Sequence, residues 1–463
     1  MRPAALLGVL AALTLSVCVL SPRVSAQPLT FGHALDPLEA PARTGFAQVN
    51  RNEVMLRGGP SYIDDRWRLF GGLEARLEAG RLGLGLEIPG RTGISSAYEE
   101  DYDELYDLAR RLLYLRLSPT PTSPLYVRLG PLERLRLGSG LLVDGFGTTA
   151  AWEERTVGAE VAVRLGGVTV QGFLEDLRLD GLVGGALVLE PLGRSASRLQ
   201  GIRLTLEGAY DLALDASWGD SLDLPFAAGA TLQVPLWGDA LAVGPYASGA
   251  YQQGLGGEGG ISAEVGFDAT AVRFVDLIDA HARVGVFAFD DGVPVTPFDA
   301  FYPVQRGTNR IIQADPFFQE PGDPRRPAGA AADAIEAGWG LLFAFDVRLG
   351  ESFVLAQTAR LPVGGQRVGH HRLHAAYGTE RGLRFRFAFE RGGLNRLSSF
   401  FEGFDADLTM LVFDVDYPIS PRLLVSMRSR YGFAALPEQG PADPNSYIVE
   451  RRFEPSLGLR LRF

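Results

Sequence analysis

The chain has 463 residues, a formal net charge of −11 and one cysteine, Cys18; all 44 basic residues are Arg. The acidic balance excludes nucleic acid as a partner, because phosphate binding needs a basic surface, and a lone thiol excludes disulfides and Cys-built zinc sites. With 57 Gly and 29 Pro, the composition favours many turns over long helices.

The N-terminus reads as a cleavable secretion leader over residues 1–26. Arg2 is the positive start, Ala4 to Leu20 the apolar run, and Val24-Ser25-Ala26 the small-residue cleavage site. Removing Arg2 and Arg23 takes the net charge to −11 − 2 = −13. Residues 27–44 are expected to form a periplasmic tail.

Beyond the leader no run of 18 apolar residues remains, so a spanning helix is not expected. Strict alternation recurs instead. Trp67, Leu69, Leu73 and Leu77 interleave with Arg68, Glu74, Arg76 and Glu78. Leu82 to Ile88, Val157 to Leu165, Trp339 to Leu349 and Leu383 to Phe389 repeat the pattern. Period two predicts strands with one apolar and one polar face. Strands of this kind run from about Phe46 to Phe463, too many for one sandwich. A closed barrel uses them all, with lipid against the apolar face and no unpaired edge. The prediction is all-β: a closed antiparallel transmembrane barrel over residues 45–463, with about 18 strands, range 14–22.

Leu165-Gly166-Gly167-Val168 and Tyr417 to Pro421 predict tight turns. Two segments break the rhythm and are expected as long loops: near 90–110, with an acidic run from Glu99 to Asp107, and 290–336, rich in Pro, Gly and Asp. Either could fold inward. Trp67, Tyr114, Tyr126, Trp218, Trp237, Tyr246, Trp339 and Tyr417 are expected in interfacial aromatic belts.

At the C-terminus Leu457, Leu459, Leu461 and Phe463 share one parity, and Arg460 and Arg462 the other. This terminal Phe on an amphipathic last strand resembles the assembly signal of bacterial outer-membrane barrels. The resemblance implies a partner, the barrel-assembly machinery, and a place in the outer membrane of a diderm bacterium among its lipids. Pro455 suggests that the spanning part starts only at Ser456. Tyr126 to Gly147 looks like a strand pair from such barrels. The general pattern is similar to porin-like barrels. It implies passive or facilitated diffusion of small hydrophilic solutes and carries no activity beyond that.

The charges on the polar parity are the candidate pore-lining residues: Arg68, Glu74, Arg76, Arg128, Glu160, Arg164, Arg203, Glu207, Asp346, Arg348, Arg384, Arg386, Glu390, Asp414, Asp416, Arg460 and Arg462. In a lumen, facing rows of Arg and acids orient polar solutes across the bore. Paired with each other, the same residues make only a polar wall. His370, His371 and His374 are the only clustered histidines, but Arg372 beside them disfavours a metal cation. The acidic run matches no calcium-loop spacing. No nucleophile elbow or phosphate loop is present, so no enzyme, cofactor or metal site is expected. A non-transporting surface barrel and a barrel hydrolase are the alternative functions. No residue argues for a particular oligomeric state.

Overall fold

The computed structural model describes residues 52–63, 66–93, 105–118, 123–132, 135–148, 155–179, 181–190, 202–212, 226–234, 241–253, 259–274, 278–290, 298, 337–349, 353–363, 369–378, 383–394, 409–437 and 447–463. The leader and the tail lie outside them.

The strands follow in chain order. They are β1 (Glu53–Ile63), β2 (Arg66–Ala79), β3 (Leu82–Thr92), β4 (Leu112–Leu117), β5 (Leu125–Gly130), β6 (Leu135–Arg136), β7 (Asp144–Phe146), β8 (Gly158–Leu165), β9 (Val168–Leu174), β10 (Leu182–Leu189) and β11 (Arg203–Asp211). Then come β12 (Phe226–Gln233), β13 (Leu241–Gln253), β14 (Gly259–Phe274), β15 (Ile278–Phe289), β16 (Gly338–Leu349), β17 (Phe353–Val363), β18 (Gly369–Gly378), β19 (Arg384–Leu394), β20 (Thr409–Pro418), β21 (Leu423–Pro437) and β22 (Tyr447–Arg462). One short helix, α1 (Leu105–Arg110), precedes β4.

Twenty of these strands form one antiparallel sheet, against the expectation of about 18. Each pairs with its neighbours in sequence, and β1 pairs with β22 to close the ring (Glu53↔Arg462, Leu56↔Leu459). Only β6 and β7 stand apart as a two-stranded hairpin, so β5 pairs directly with β8. Closure removes every sheet edge.

The alternation places the two faces. On β2, Phe70, Glu74 and Arg76 are buried inside, while Trp67, Leu69, Leu73 and Leu77 stand outside. Leu56, Leu69, Phe267 and Leu457 are each more than 60% exposed on the outer face (64%, 68%, 63% and 63%). A water-facing surface this apolar would be a severe cost, whereas hydrocarbon satisfies it. This inside-out arrangement is that of an outer-membrane barrel. The turns at 80–81, 166–167 and 419–422 lie on the rim that holds the C-terminus. The strand ends at Thr92, Gly130, Gly158, Phe289 and Gly338 lie on the other rim; most of 93–111 and of 290–336, expected as long loops, falls outside the described residues. In such barrels the short-turn rim faces the periplasm.

Three expectations need correction. Tyr126 to Gly147 is not a strand pair: β5 ends at Gly130 and the chain leaves the wall. Tyr114, Tyr126 and Tyr246 are buried on the inner face rather than in an outer belt, where Trp67, Trp339 and Tyr417 do stand exposed. Trp218 and Trp237 lie outside the described residues. Lastly, β22 runs through Pro455, which faces Ser429 in the β21 ladder. On the β1 side the ladder lapses here, and a Cβ on Gly59 would meet the Pro455 carbonyl at 2.2 Å, so only Gly fits against the Pro455 backbone.

Candidate functional site

The segment after β5 builds the site. Gly130 turns the chain inward at φ +135°, where a Cβ would strike the Leu113 carbonyl at 2.6 Å. Arg128 braces the departure, donating to the carbonyl oxygens of Pro131 at 2.6 Å and Leu113 at 3.3 Å. The β6–β7 hairpin then lies inside the barrel.

Its apolar residues break the period-two rule because they are buried whatever their parity. Leu132, Leu135, Leu137, Leu141, Leu142, Val143 and Phe146 pack against Phe173, Leu182, Ala186, Ala209, Ala227 and Ala250 on β9–β13. The small wall residues make the seat. Gly138, at φ +53°, approaches so closely that a Cβ would lie 2.6 Å from Thr205 Cγ2. Each buried Leu or Phe contributes roughly 1.5–3 kcal/mol, so the hairpin is held mainly by this apolar contact. Polar anchors fix its register. Glu207 accepts from the Ser139 hydroxyl and from the Leu142 N–H at 3.2 Å, and Gln171 Oε1 accepts from the Gly138 N–H at 2.8 Å. Phe298, the one described residue between 291 and 336, joins the same cluster, bridging to Val143 and donating its N–H to the Leu142 carbonyl at 3.2 Å.

The hairpin's other side is charged. Arg136 and Asp144 face β15–β18 across a gap also lined by His281, Arg283, Asp346, Arg360, Arg372 and His374. Arg372 Nη2 bonds Asp144 Oδ2 at 2.7 Å, and Arg136 Nε lies 4.0 Å from its other oxygen. Burial opposes ionisation of Asp144, but Arg372 and then Arg136 outweigh it and hold the carboxyl far below the usual carboxylate range. On the wall, His281 bridges Asp268 at 3.0 Å and Asp346 at 3.4 Å, and Arg283 joins Asp268 at 3.1 Å.

The third part of the inner wall, β19 through β3, is an ion-pair mesh. Arg428 bridges Glu74 at 3.2 Å and Asp414 at 3.1 Å, Arg460 joins Asp416 at 2.8 Å, and Arg76 joins Glu74 at 2.6 Å. Arg57 pairs with Glu87, which also takes Arg155 at 2.7 Å.

The structure places Arg68, Glu74, Arg76, Arg128, Glu160, Arg164, Arg203, Glu207, Asp346, Arg384, Arg386, Glu390, Asp414, Asp416, Arg460 and Arg462 on the inner parity. The Arg348 side chain lies outside the described residues. Of this set only Asp346 lines the gap; Glu207 instead anchors the hairpin, and Arg76 pairs with Glu74, Arg386 with Asp414 and Arg460 with Asp416. Leu457, Leu459, Leu461 and Phe463 stand on the outer face, each at least half exposed. His374 bonds Glu390 at 3.1 Å inside, while His371 meets Gln357 at 3.3 Å on the outer parity.

Sequence reasoning missed Arg136, Asp144, His281, Arg283 and Arg360. A signal for the first two was present: Leu141-Leu142-Val143 has no alternation, and it sits among Gly138, Gly140 and Gly145, all with positive φ.

No known protein family matches the chain, and no curated protein does. Among solved structures, the FrpB iron transporter of Neisseria meningitidis aligns at 11% identity over 92% of this chain and 83% of its own, TM-score 0.34. OpdL of Pseudomonas aeruginosa aligns at 13% identity over 89% of this chain and 96% of its own, TM-score 0.31. A mutant porin of Rh. blastica aligns at 13% identity over 89% and 99%, TM-score 0.25. At such identities and scores the likeness bears on neither activity nor solute.

Proposed function

We propose that the chain is an outer-membrane channel for passive or facilitated diffusion of small hydrophilic solutes. One observation carries this. The inserted hairpin sits on the β9–β13 wall and turns Arg136 and Asp144 toward β15–β18, leaving a charged gap instead of an apolar seal. A ring of 20 strands is wider than side chains alone fill, so the hairpin sets the bore. Charges of both signs across the gap orient polar solutes by their dipoles. The inner-face charges are the pore lining in this reading, and neither cofactor nor catalytic group is needed. Purified protein in planar bilayers should give discrete single-channel currents in potassium chloride; a silent, folded barrel would reject the proposal.

A second reading, a non-transporting structural barrel, draws on the β19–β3 mesh. Glu74, Arg384 and Asp416 are each only 2% exposed, so that side of the interior is filled. The same bilayer recording separates the two.

The outward C-terminal residues support entry through the barrel-assembly machinery after export and leader cleavage near Ala26. Deleting Phe463 should lower the folded fraction in the outer membrane; an unchanged fraction would remove the last strand from that role.

A further inference from the structure

The wall is low where β4 and β5 stand. Each is six residues long, while a tilted strand needs about 9–11 residues to cross the bilayer. Among the described residues the β3–β4 ladder stops at Leu86↔Leu112, although β3 runs on to Thr92. One more bond follows, from the Glu87 N–H to the Arg111 carbonyl at 2.8 Å. Two residues on, where the next donor would point the same way, stands Pro89, which has no N–H to offer.

α1 takes the place of the missing rungs. The Arg111 N–H donates to the Leu108 carbonyl at 3.3 Å, so Leu108 lies within about one helical turn, ~5.4 Å, of the Glu87 level. Glu87 is at the middle of β3, so α1 sits at mid-wall height. The helix is also inside out. Tyr106, Asp107 and Arg110 share one face at helical spacing, and that face holds to the protein. The Tyr106 hydroxyl bonds Asp176 and the Val157 N–H, Asp107 is 2% exposed and pairs with Arg110 at 2.7 Å, and Arg155, paired with Glu87, donates to the Arg110 carbonyl at 2.5 Å. Leu108 and Ala109, on the opposite face, are exposed, Leu108 at 64%, as much as Leu56 on the outer face of β1. A helix at a water surface buries its apolar face. Here the polar face is buried and the apolar face is bare, as on the spanning strands. Ile88 of β3 and Leu115 of β4, exposed on the outer face of the adjoining strands, continue the same apolar surface.

We infer that α1 completes the barrel wall as a lipid-contacting segment, with Leu108 and Ala109 against the hydrocarbon of the outer leaflet. The inference rests on the barrel's place in a bilayer and on no property of the bore.

The test is spin-label accessibility in lipid vesicles, on the full-length chain with Cys18→Ser so that each variant carries one thiol. Leu108→Cys is compared with Leu69→Cys on the outer wall and Arg422→Cys in the 419–422 turn. Oxygen concentrates in hydrocarbon and a nickel chelate stays in water. The Leu108→Cys label should match the Leu69→Cys label, high with oxygen and low with nickel. Nickel accessibility equal to that of the Arg422→Cys label would put this face in water and overturn the inference. Low accessibility to both reagents would put protein over α1, such as a second copy, and overturn it too. Ala109→Cys, on the same face, carries the measurement should Leu108→Cys fail to fold.

Discussion

Arg372 of β18 reaches across the bore to Asp144 at the start of β7, closing a 2.7 Å ion pair between the barrel wall and the inserted hairpin. A Cβ on the neighbouring Gly145 would lie 2.1 Å from Arg372 Nη1, so the guanidinium lies directly on the hairpin backbone. The wall and its insert are thus tied on both sides, by apolar packing toward β9–β13 and by charge toward β18.

Asp144→Asn should loosen the charged tie. Removing one partner of a buried pair costs about 3–5 kcal/mol, and here the loss is local. Hydrogen exchange over residues 135–146 should speed up while the barrel strands stay protected; unchanged exchange would show that the pair does not hold the hairpin. The folded carboxyl titrates far below its ordinary value, so the tie contributes fully above about pH 4. It is lost only as pH falls through that lowered value.

Phe146→Ala should cut the apolar seat. Phe146 is fully buried against Phe173, ring centroids 5.7 Å apart. The cost is about 3–5 kcal/mol. If the hairpin sets the bore, single-channel conductance should rise and its noise should grow. A current identical to that of the unsubstituted protein would place the constriction elsewhere.

Val284, at the middle of β15 and 52% exposed on the outer face, reports the lipid contact. Val284→Arg should destabilise the barrel by about 2–4 kcal/mol, as for a cation near the bilayer midplane. Urea titration in lipid vesicles measures it. No change would mean that this face does not meet hydrocarbon.

Tyr106 on α1 gives an alkaline signature. Its hydroxyl bonds Asp176 at 2.9 Å and accepts the Val157 N–H at 2.8 Å. Burial comes first, and with the Asp176 charge it outweighs the Val157 bond, so the phenol is pushed up to about 12. The folded state then holds this proton more tightly than the unfolded chain. The stabilisation is present below about pH 10 and is lost as pH rises through 12. Between about pH 10 and 11 folded wild type and folded Tyr106→Phe should show the same phenolate absorbance, while their unfolded forms differ by one tyrosine. A Tyr106 that ionises at the ordinary value would break the Asp176 contact. Tyr106→Phe itself should cost about 1–3 kcal/mol through the orphaned Val157 N–H.

The barrel was legible because its cause is local. Lipid outside and a polar interior impose period two on every spanning strand, and β2, β15, β16 and β22 carry that period in their own residues. Strand number was harder, since β4 and β5, at six residues each, hold too few alternations to stand out. The insert could not be read. Leu132 to Phe146 carries apolar residues that pair with Ala186, Ala209, Ala227 and Ala250, up to about a hundred residues away, and small residues on a wall announce nothing until something is packed on them. Nor does parity tell which acid an inward Arg meets: Arg428 finds Glu74 and Asp414 on the wall and Arg372 crosses to Asp144 on the hairpin, because that depends on what closure brings together. Alternation alone fixed which side of each strand is greasy; only the closed ring decided what the wet side surrounds.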